Sequence, residues 1–99
     1  MKPAVVGEAP SRLMQSIGHF TPLVFLKPEL ARLAGVADFD DAFDCFNVLN
    51  FWPGKEGKGD AFPMSVARQA VAKLKPSLAD RPLIILLGRR VAAAWGCAH

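Results

Sequence analysis

Residues 83–87 read Leu-Ile-Ile-Leu-Leu, an uninterrupted apolar run between Pro82 and Gly88. A short run that is apolar at every position, bounded by Pro and Gly, favours a strand whose two faces are both covered. Strands of this kind are typical of parallel sheets with helices on either side. The run therefore indicates an α/β fold, and it is far too short to span a bilayer.

Two further strands are predicted from shorter apolar runs. Residues 4–6, Ala-Val-Val, form a buried first strand that ends at Gly7, and residues 45–49, Cys-Phe-Asn-Val-Leu, form a second. The segment between them contains several prolines, so residues 8–27 are predicted to be mainly loop.

Three helices are predicted from the spacing of apolar residues. The first begins near Pro28 and ends at Gly35, the second has Asp60 as its N-cap and ends at Pro76, and the third follows Gly88. The residues expected on their inner faces are Leu30, Leu33 and Ala34 in the first, Phe62, Val66, Ala70, Val71 and Leu74 in the second, and Val91, Ala94 and Trp95 in the third.

Strands that alternate with helices predict a three-layer α/β/α domain around a short parallel sheet. The 99 residues are expected to form a single domain over residues 1–99. In parallel sheets, ligands bind beyond the carboxyl ends of the strands. Functional residues are therefore sought in residues 7–10, 47–54 and 88–90.

The composition narrows the possible functions. A net charge of +3 permits contact with phosphates without requiring it. Cys45 and Cys97 form no CxxC pair, so zinc and iron–sulfur sites are not expected, and no cofactor is predicted. The residues after Met1 form no apolar leader, which favours a cytoplasmic location without membrane association. In that location the two cysteines are expected to be reduced thiols rather than a disulfide.

Residues 38–46 alternate aspartates with phenylalanines. We interpret this pattern as a solvated helical face anchored by phenylalanine. Magnesium binding is the alternative, because spaced aspartates can coordinate Mg²⁺. The next basic segment, residues 55–60, is predicted to be a flexible loop, and its glycine spacing does not fit a Walker A motif.

Three segments resemble motifs of the uracil-DNA glycosylase superfamily. Val-Gly-Glu-Ala-Pro at residues 6–10 is similar to the GEAPG motif of its bacterial branches. Residues 47–54, Asn-Val-Leu-Asn-Phe-Trp-Pro-Gly, resemble a family strand that ends in Asn and enters a Pro-containing loop. Leu-Leu-Gly at residues 86–88, with three alanines at 92–94, is similar to a strand-to-helix turn of the family. The motifs follow the family's order, and the resemblance extends over nearly the whole chain.

The resemblance implies a DNA-repair glycosidase that hydrolyses the N-glycosidic bond of uracil in DNA. Such enzymes flip the nucleotide out of the stack, and donors near the departing base stabilise its negative charge. By the resemblance, Glu8 or a neighbouring backbone carbonyl places the attacking water. Gly7, Ala9 and Pro10 line the base pocket, where the amide of Asn47 offers a donor and an acceptor to the uracil edge.

Further candidates come from the same resemblance. Phe20 or Phe25 would stack on the base. Independently of the resemblance, the candidates for contact with the DNA backbone are Lys55, Lys58, Arg89 and Arg90, and solvated side chains are the alternative for all four. Purely structural alternatives remain open: Glu8 as an exposed loop carboxylate, Asn47 as a turn cap and Trp52 as a packing residue.

The sequence departs from the family pattern in two places. Ser11 stands where the first motif usually has Gly, which restricts the backbone slightly. The HPS-type motif, whose histidine stabilises the departing base, does not occur, and neither His19 nor His99 is expected to replace it. The iron–sulfur cysteines of some branches are also missing. The chain is therefore expected to represent the N-terminal part of such a domain, without its last strand.

Without that strand, residues 83–87 would form an apolar sheet edge, which favours self-association. Three functions are open: a glycosylase acting on DNA that contains uracil or a related base, with or without activity in this chain; a non-catalytic nucleic-acid or nucleotide-binding domain; and an α/β domain for a small phosphorylated ligand.

Overall fold

The computed structural model describes residues 1–16 and 27–97. In chain order, its elements are β1 (Ala4–Gly7), α1 (Arg12–Ser16), α2 (Lys27–Ala34), α3 (Phe39–Ala42), β2 (Asp44–Asn47), β3 (Lys55–Glu56), β4 (Gly59–Asp60), α4 (Met64–Ser77), β5 (Ile84–Leu86) and α5 (Arg89–Trp95).

β1 is the central strand of a parallel sheet with the order β2-β1-β5. It pairs with β2 from Ala4 opposite Asp44 to Gly7 opposite Asn47, and Ala4 also lies opposite Ile84 of β5. The parallel sheet predicted from the apolar run is therefore confirmed. Among the described residues β5 is one of its edges.

Helices cover both faces of this sheet. Because side chains alternate along a strand, Val6 points to the face covered by α4 and α5, and Val5 points to the face covered by α2 and α3. The described residues thus form a mixed α/β domain. Buried in the larger core are Ala4, Val6, Val48, Leu49, Phe62, Ala67, Val71, Leu78, Val91 and Ala94.

Several predicted boundaries are wrong. Helix α1 was not predicted, and it lies in the segment of residues 8–27 that was predicted to be mainly loop. Asp60 does not cap α4, which begins at Met64 after Pro63. Pro76 lies in the last turn of α4 rather than ending it, since a single proline there removes only one N–H from the helix ladder.

Asp60 belongs instead to a hairpin, in the segment predicted to be a flexible loop. Lys55 pairs with Asp60 and Glu56 pairs with Gly59. The connecting turn has Gly57 at a φ of 61°, a conformation that glycine adopts without steric cost. The segment is therefore an ordered projection beyond β2.

The acidic segment contains a short helix, so the predicted helical face is confirmed in part, but Asp44 lies in β2. The Asp38 carboxylate accepts a hydrogen bond from the backbone N–H of Asp40 at 3.0 Å, which caps the amino end of α3. Phe39 is buried and stacks on Phe43 with ring centroids 4.7 Å apart, while Asp40 and Asp41 are exposed. In residues 1–16 and 27–97, no group of three His, Cys, Asp or Glu side chains could hold a metal ion.

Two leucines that the sequence predicts to be buried are exposed. Leu33 of α2 is 68% exposed and Leu83, just before β5, is 54% exposed. Ile84, Ile85 and Leu86 are only half-buried. The edge position of β5 explains this, because one flank of the strand has no neighbouring strand within the described chain. None of the described helices is long and apolar enough to cross a membrane.

An ion pair between Arg81 and Asp44 connects segments at the amino end of the sheet. The Arg81 guanidinium donates to the Asp44 carboxylate and, at 2.9 Å, to the Lys2 carbonyl. The hydrogen bond from Arg81 is the main cause that holds the pKa of Asp44 below its ordinary value. The folded state therefore binds the Asp44 proton less tightly than the unfolded chain does, so the pair stabilises the fold above the ordinary aspartate pKa.

We expect Asp44→Asn to lower the free energy of unfolding at neutral pH. The difference from the parent should shrink as the pH falls below the ordinary aspartate pKa of about 4, because protonation removes the same charge in the parent. Urea denaturation at a series of pH values measures both effects. Asp80→Asn, at an exposed position, is the matched control. A difference that persists unchanged in acid would contradict the assignment.

Candidate functional site

Backbone bonds fix two predicted motifs side by side at the carboxyl end of the sheet. Gly7 and Asn47 are direct partners in the β1-β2 ladder. The pairing continues beyond the strands, since the N–H of Val48 donates to the Gly7 carbonyl and that of Leu49 to the Glu8 carbonyl, both at 2.9 Å. The segment after β1 is therefore hydrogen-bonded to the segment after β2.

We call Gly7, Glu8, Ala9, Pro10 and Asn47 the candidate base pocket. Gly7 and Pro10 are buried, and the other three are half-buried. The structure thus brings the predicted catalytic and base-pocket residues to one place. Phe20 and Phe25, predicted to stack on the base, lie outside the described residues, as do His19 and His99.

The Glu8 carboxylate is held by a bidentate ion pair. Arg90 Nε donates to Glu8 Oε2 at 2.8 Å and Arg90 Nη2 donates to Oε1 at 2.6 Å. Arg90 Nη1 also donates to the Asp60 carbonyl at 3.0 Å, and its guanidinium lies 5.5 Å from the ring centre of Phe62. The hydrogen bonding that Arg90 donates to Glu8 is the main cause that raises the pKa of Arg90 above its ordinary value. Two parallel bonds of this kind fix the orientation of the carboxylate.

The turn at Gly88 brings Arg90 to Glu8. Gly88 has a φ of 100°, which residues with a side chain rarely adopt, and it redirects the chain from β5 into α5. Arg90, the second residue of α5, then reaches the end of β1. The side chains of Glu8 and Arg90 remain 29% and 44% exposed. Because each carboxylate oxygen has a second acceptor position, Glu8 can still accept a hydrogen bond from water.

A second polar contact joins the loop after β2 to the hairpin. Trp52 Nε1 donates to the Asp60 carboxylate at 3.0 Å, and the Arg12 guanidinium lies 5.8 Å from the Trp52 ring centre. The half-buried Trp52 therefore links α1, the loop and β4 in addition to packing. Asp60 contacts both Trp52 and Arg90, a role that its predicted capping position did not indicate.

The predicted DNA-contact residues occupy different environments. Lys55 and Lys58 are exposed on the β3-β4 hairpin, and Arg89 is exposed at the first position of α5. Arg90 donates instead to Glu8 and to the Asp60 carbonyl. Arg90 therefore belongs to the candidate base pocket more than to an independent phosphate-binding surface.

A cavity of about 430 Å³ opens beside Asn47, between the loop after β2 and helix α4. We call it the amide cavity, because three of its residues carry side-chain amides. Its lining is formed by Asn47, Val48, Leu49, Asn50, Phe51, Val66, Gln69, Ala70 and Lys73.

The sequence analysis did not identify Gln69 and Lys73, which form part of the α4 side of the amide cavity. The sequence does contain a signal for this side of the cavity. The spacing of Val66, Gln69, Ala70 and Lys73 puts these four residues on one side of a helix. Which neighbour that side faces depends on how α4 docks on the sheet.

Comparison of the chain with protein-family models, with curated proteins and with solved structures gave no match. No family is shown by these comparisons, so the functional proposal rests on the residues and on their arrangement at the carboxyl end of the sheet.

Proposed function

We propose that this domain has a uracil-DNA glycosylase-like fold and hydrolyses the N-glycosidic bond of uracil in DNA. The observation that carries the proposal is the direct pairing of Gly7 with Asn47, with Glu8 next to them. The resemblance to the family requires these motifs to meet, although they are far apart in sequence. A parallel sheet that ends at both motifs supports the proposal, because ligands bind at such ends.

Each residue of the candidate base pocket has a role in the proposed reaction. The Asn47 amide binds the polar edge of an extruded uracil. Glu8 accepts a hydrogen bond from a water that attacks the sugar carbon. The bond from that carbon to the base breaks, its electron pair leaves with the base, and the proton of the water ends on the departing base. Backbone donors near Gly7 and Ala9 stabilise the charge that develops on the base.

One observation favours a second candidate function. Both oxygens of Glu8 already accept hydrogen bonds from Arg90. A carboxylate held in this way is oriented, but it is also partly neutralised. This favours a domain that binds nucleic acid or nucleotides in the same pocket without hydrolysis. Self-association through the β5 edge remains a prediction.

Release of uracil from a labelled single-stranded oligonucleotide tests the proposal. We expect the parent to release uracil and Asn47→Ala to release it about 10²–10³-fold more slowly, the loss typical of removing one donor from a reacting centre. The same oligonucleotide with thymine in place of uracil is the substrate control, and circular dichroism checks that both proteins are folded.

No release by folded parent protein would overturn the glycosylase proposal. Binding of the uracil oligonucleotide in that case, weakened in Asn47→Ala, would support the second candidate. Equal release by the parent and Asn47→Ala would show that the base is bound elsewhere.

A further inference from the structure

We infer that the amide cavity binds a nucleotide of single-stranded DNA next to the target base, with the base stacked on Phe51 and its phosphate near Lys73. The inference rests on the proposed function, because it says where the strand that carries the target lies. The cavity residues 47–51 belong to the second motif that resembles the glycosylase family, whereas Val66, Gln69, Ala70 and Lys73 of α4 lie outside the motifs.

The size and floor of the cavity suit a nucleotide. Its volume of about 430 Å³ lies within the usual range for small-molecule pockets of roughly 300–1,000 Å³. The floor is formed by Val48 and Leu49, which are buried. Their backbone N–H groups already donate to Gly7 and Glu8, so the floor is apolar and fixed in place.

The polar lining suits a base and a phosphate together. Asn50 and Gln69 are exposed at the mouth, and their amides provide both donors and acceptors, as the edges of bases require. Lys73 adds a positive charge, and no acidic residue is among the described residues that line the cavity. This combination favours an anionic ligand with a hydrogen-bonding edge.

Phe51 provides the stacking surface. Its side chain is 44% exposed although it is a large aromatic residue, and it lines the cavity opposite α4. Proteins that bind single strands place aromatic rings of this kind under bases, and each such contact strengthens binding roughly 5- to 150-fold. A base can stack on Phe51 only when it is unpaired, so the ligand of the cavity is expected to be single-stranded DNA.

Asn47 connects the cavity to the candidate base pocket, because it belongs to both. A strand whose target base lies against residues 7–10 therefore has its neighbouring nucleotide within reach of the cavity. Exposed Lys55 and Lys58 lie on the hairpin that follows the same loop. The loop after β2 thus joins the amide cavity to the hairpin that carries these two lysines.

Fluorescence anisotropy with a labelled oligothymidylate that contains no uracil tests the inference on the full chain. We expect Phe51→Ala to weaken binding roughly 5- to 150-fold and Phe51→Trp to retain it. Lys73→Gln should lower the slope of log affinity against log salt by about 0.7, the value for one phosphate of a single strand. Arg68→Gln, an equal charge change on the exposed part of α4 outside the cavity, should leave affinity nearly unchanged.

Parental affinity in Phe51→Ala would overturn the inference, as would equal weakening by Arg68→Gln and Lys73→Gln. If free thymidine monophosphate binds as tightly as the oligonucleotide, the inference that the cavity binds a DNA strand would be overturned, and the cavity would be a mononucleotide site. Because the probe holds no uracil, these outcomes are independent of base release. Normal strand binding without uracil release would reject the proposed function alone.

Discussion

Glu8→Gln is expected to slow uracil release by about 10²–10⁴-fold, the usual contribution of a positioned acid–base group. The glutamine keeps the shape of the side chain and can still accept one hydrogen bond from Arg90. It lacks the negative charge that orients and polarises the attacking water. Affinity for uracil-containing DNA should change little, because the base is bound by Asn47 and by the backbone around Gly7. Single-turnover release and anisotropy measure the two effects separately.

Arg90→Gln separates the chemical role of Glu8 from its ion pair. Like Glu8→Gln, it abolishes the ion pair, but it leaves the Glu8 carboxylate in place, so we expect a smaller loss of activity than in Glu8→Gln. Both variants should remain folded, since exposed ion pairs contribute less than about 1 kcal/mol. Equal losses in the two variants would mean that only the ion pair matters, and Glu8 would not be the catalytic residue.

Leu78→Ala is expected to reduce the free energy of unfolding by about 2–5 kcal/mol. Leu78 is 1% exposed and lies in the larger core, directly after α4. Its N–H donates to the Lys75 carbonyl at 3.0 Å, which leaves the truncated site little freedom to collapse. The total free energy of unfolding of a small domain is only about 5–15 kcal/mol, so the variant should unfold at a much lower urea concentration than the parent.

Leu83→Ala is the matched control for that prediction. The same atoms are removed from a residue that is 54% exposed, and we expect a change within about 0.5 kcal/mol. Similar effects at Leu78 and Leu83 would contradict the position of the core. A large effect at Leu83 alone would indicate that the β5 edge is covered in solution.

The sheet could be predicted because its signals are local. The apolar run at residues 83–87 and the Ala-Val-Val run at residues 4–6 each indicate a buried strand without reference to the rest of the chain. The Gly88 turn could be predicted in the same way. Asp60 shows where this reasoning fails, because the same residue suits an N-cap or a hairpin strand, and the turn at Gly57 decides between them.

The residues of the candidate base pocket could be proposed from their motifs, but their contacts could not. Glu8 and Arg90 are 82 residues apart in sequence, and nothing local indicates that they pair. Arg90 was a candidate for DNA contact at the carboxyl end of a predicted strand, and that position is what brings it to Glu8. Gln69 joins the amide cavity only because α4 docks beside the loop after β2. Tertiary packing, which has no local pattern, determines such neighbours.

Backbone and side-chain amide chemical shifts, followed while free uracil is titrated into the isotope-labelled chain, test most directly whether the carboxyl ends of β1 and β2 bind the base. We predict saturable shifts at Gly7, Glu8 and Ala9 and at the side-chain amide of Asn47, with Lys58 on the hairpin unaffected. Saturable shifts confined to α2 and α3, or no shifts at these four residues at any uracil concentration, would contradict the proposed base pocket.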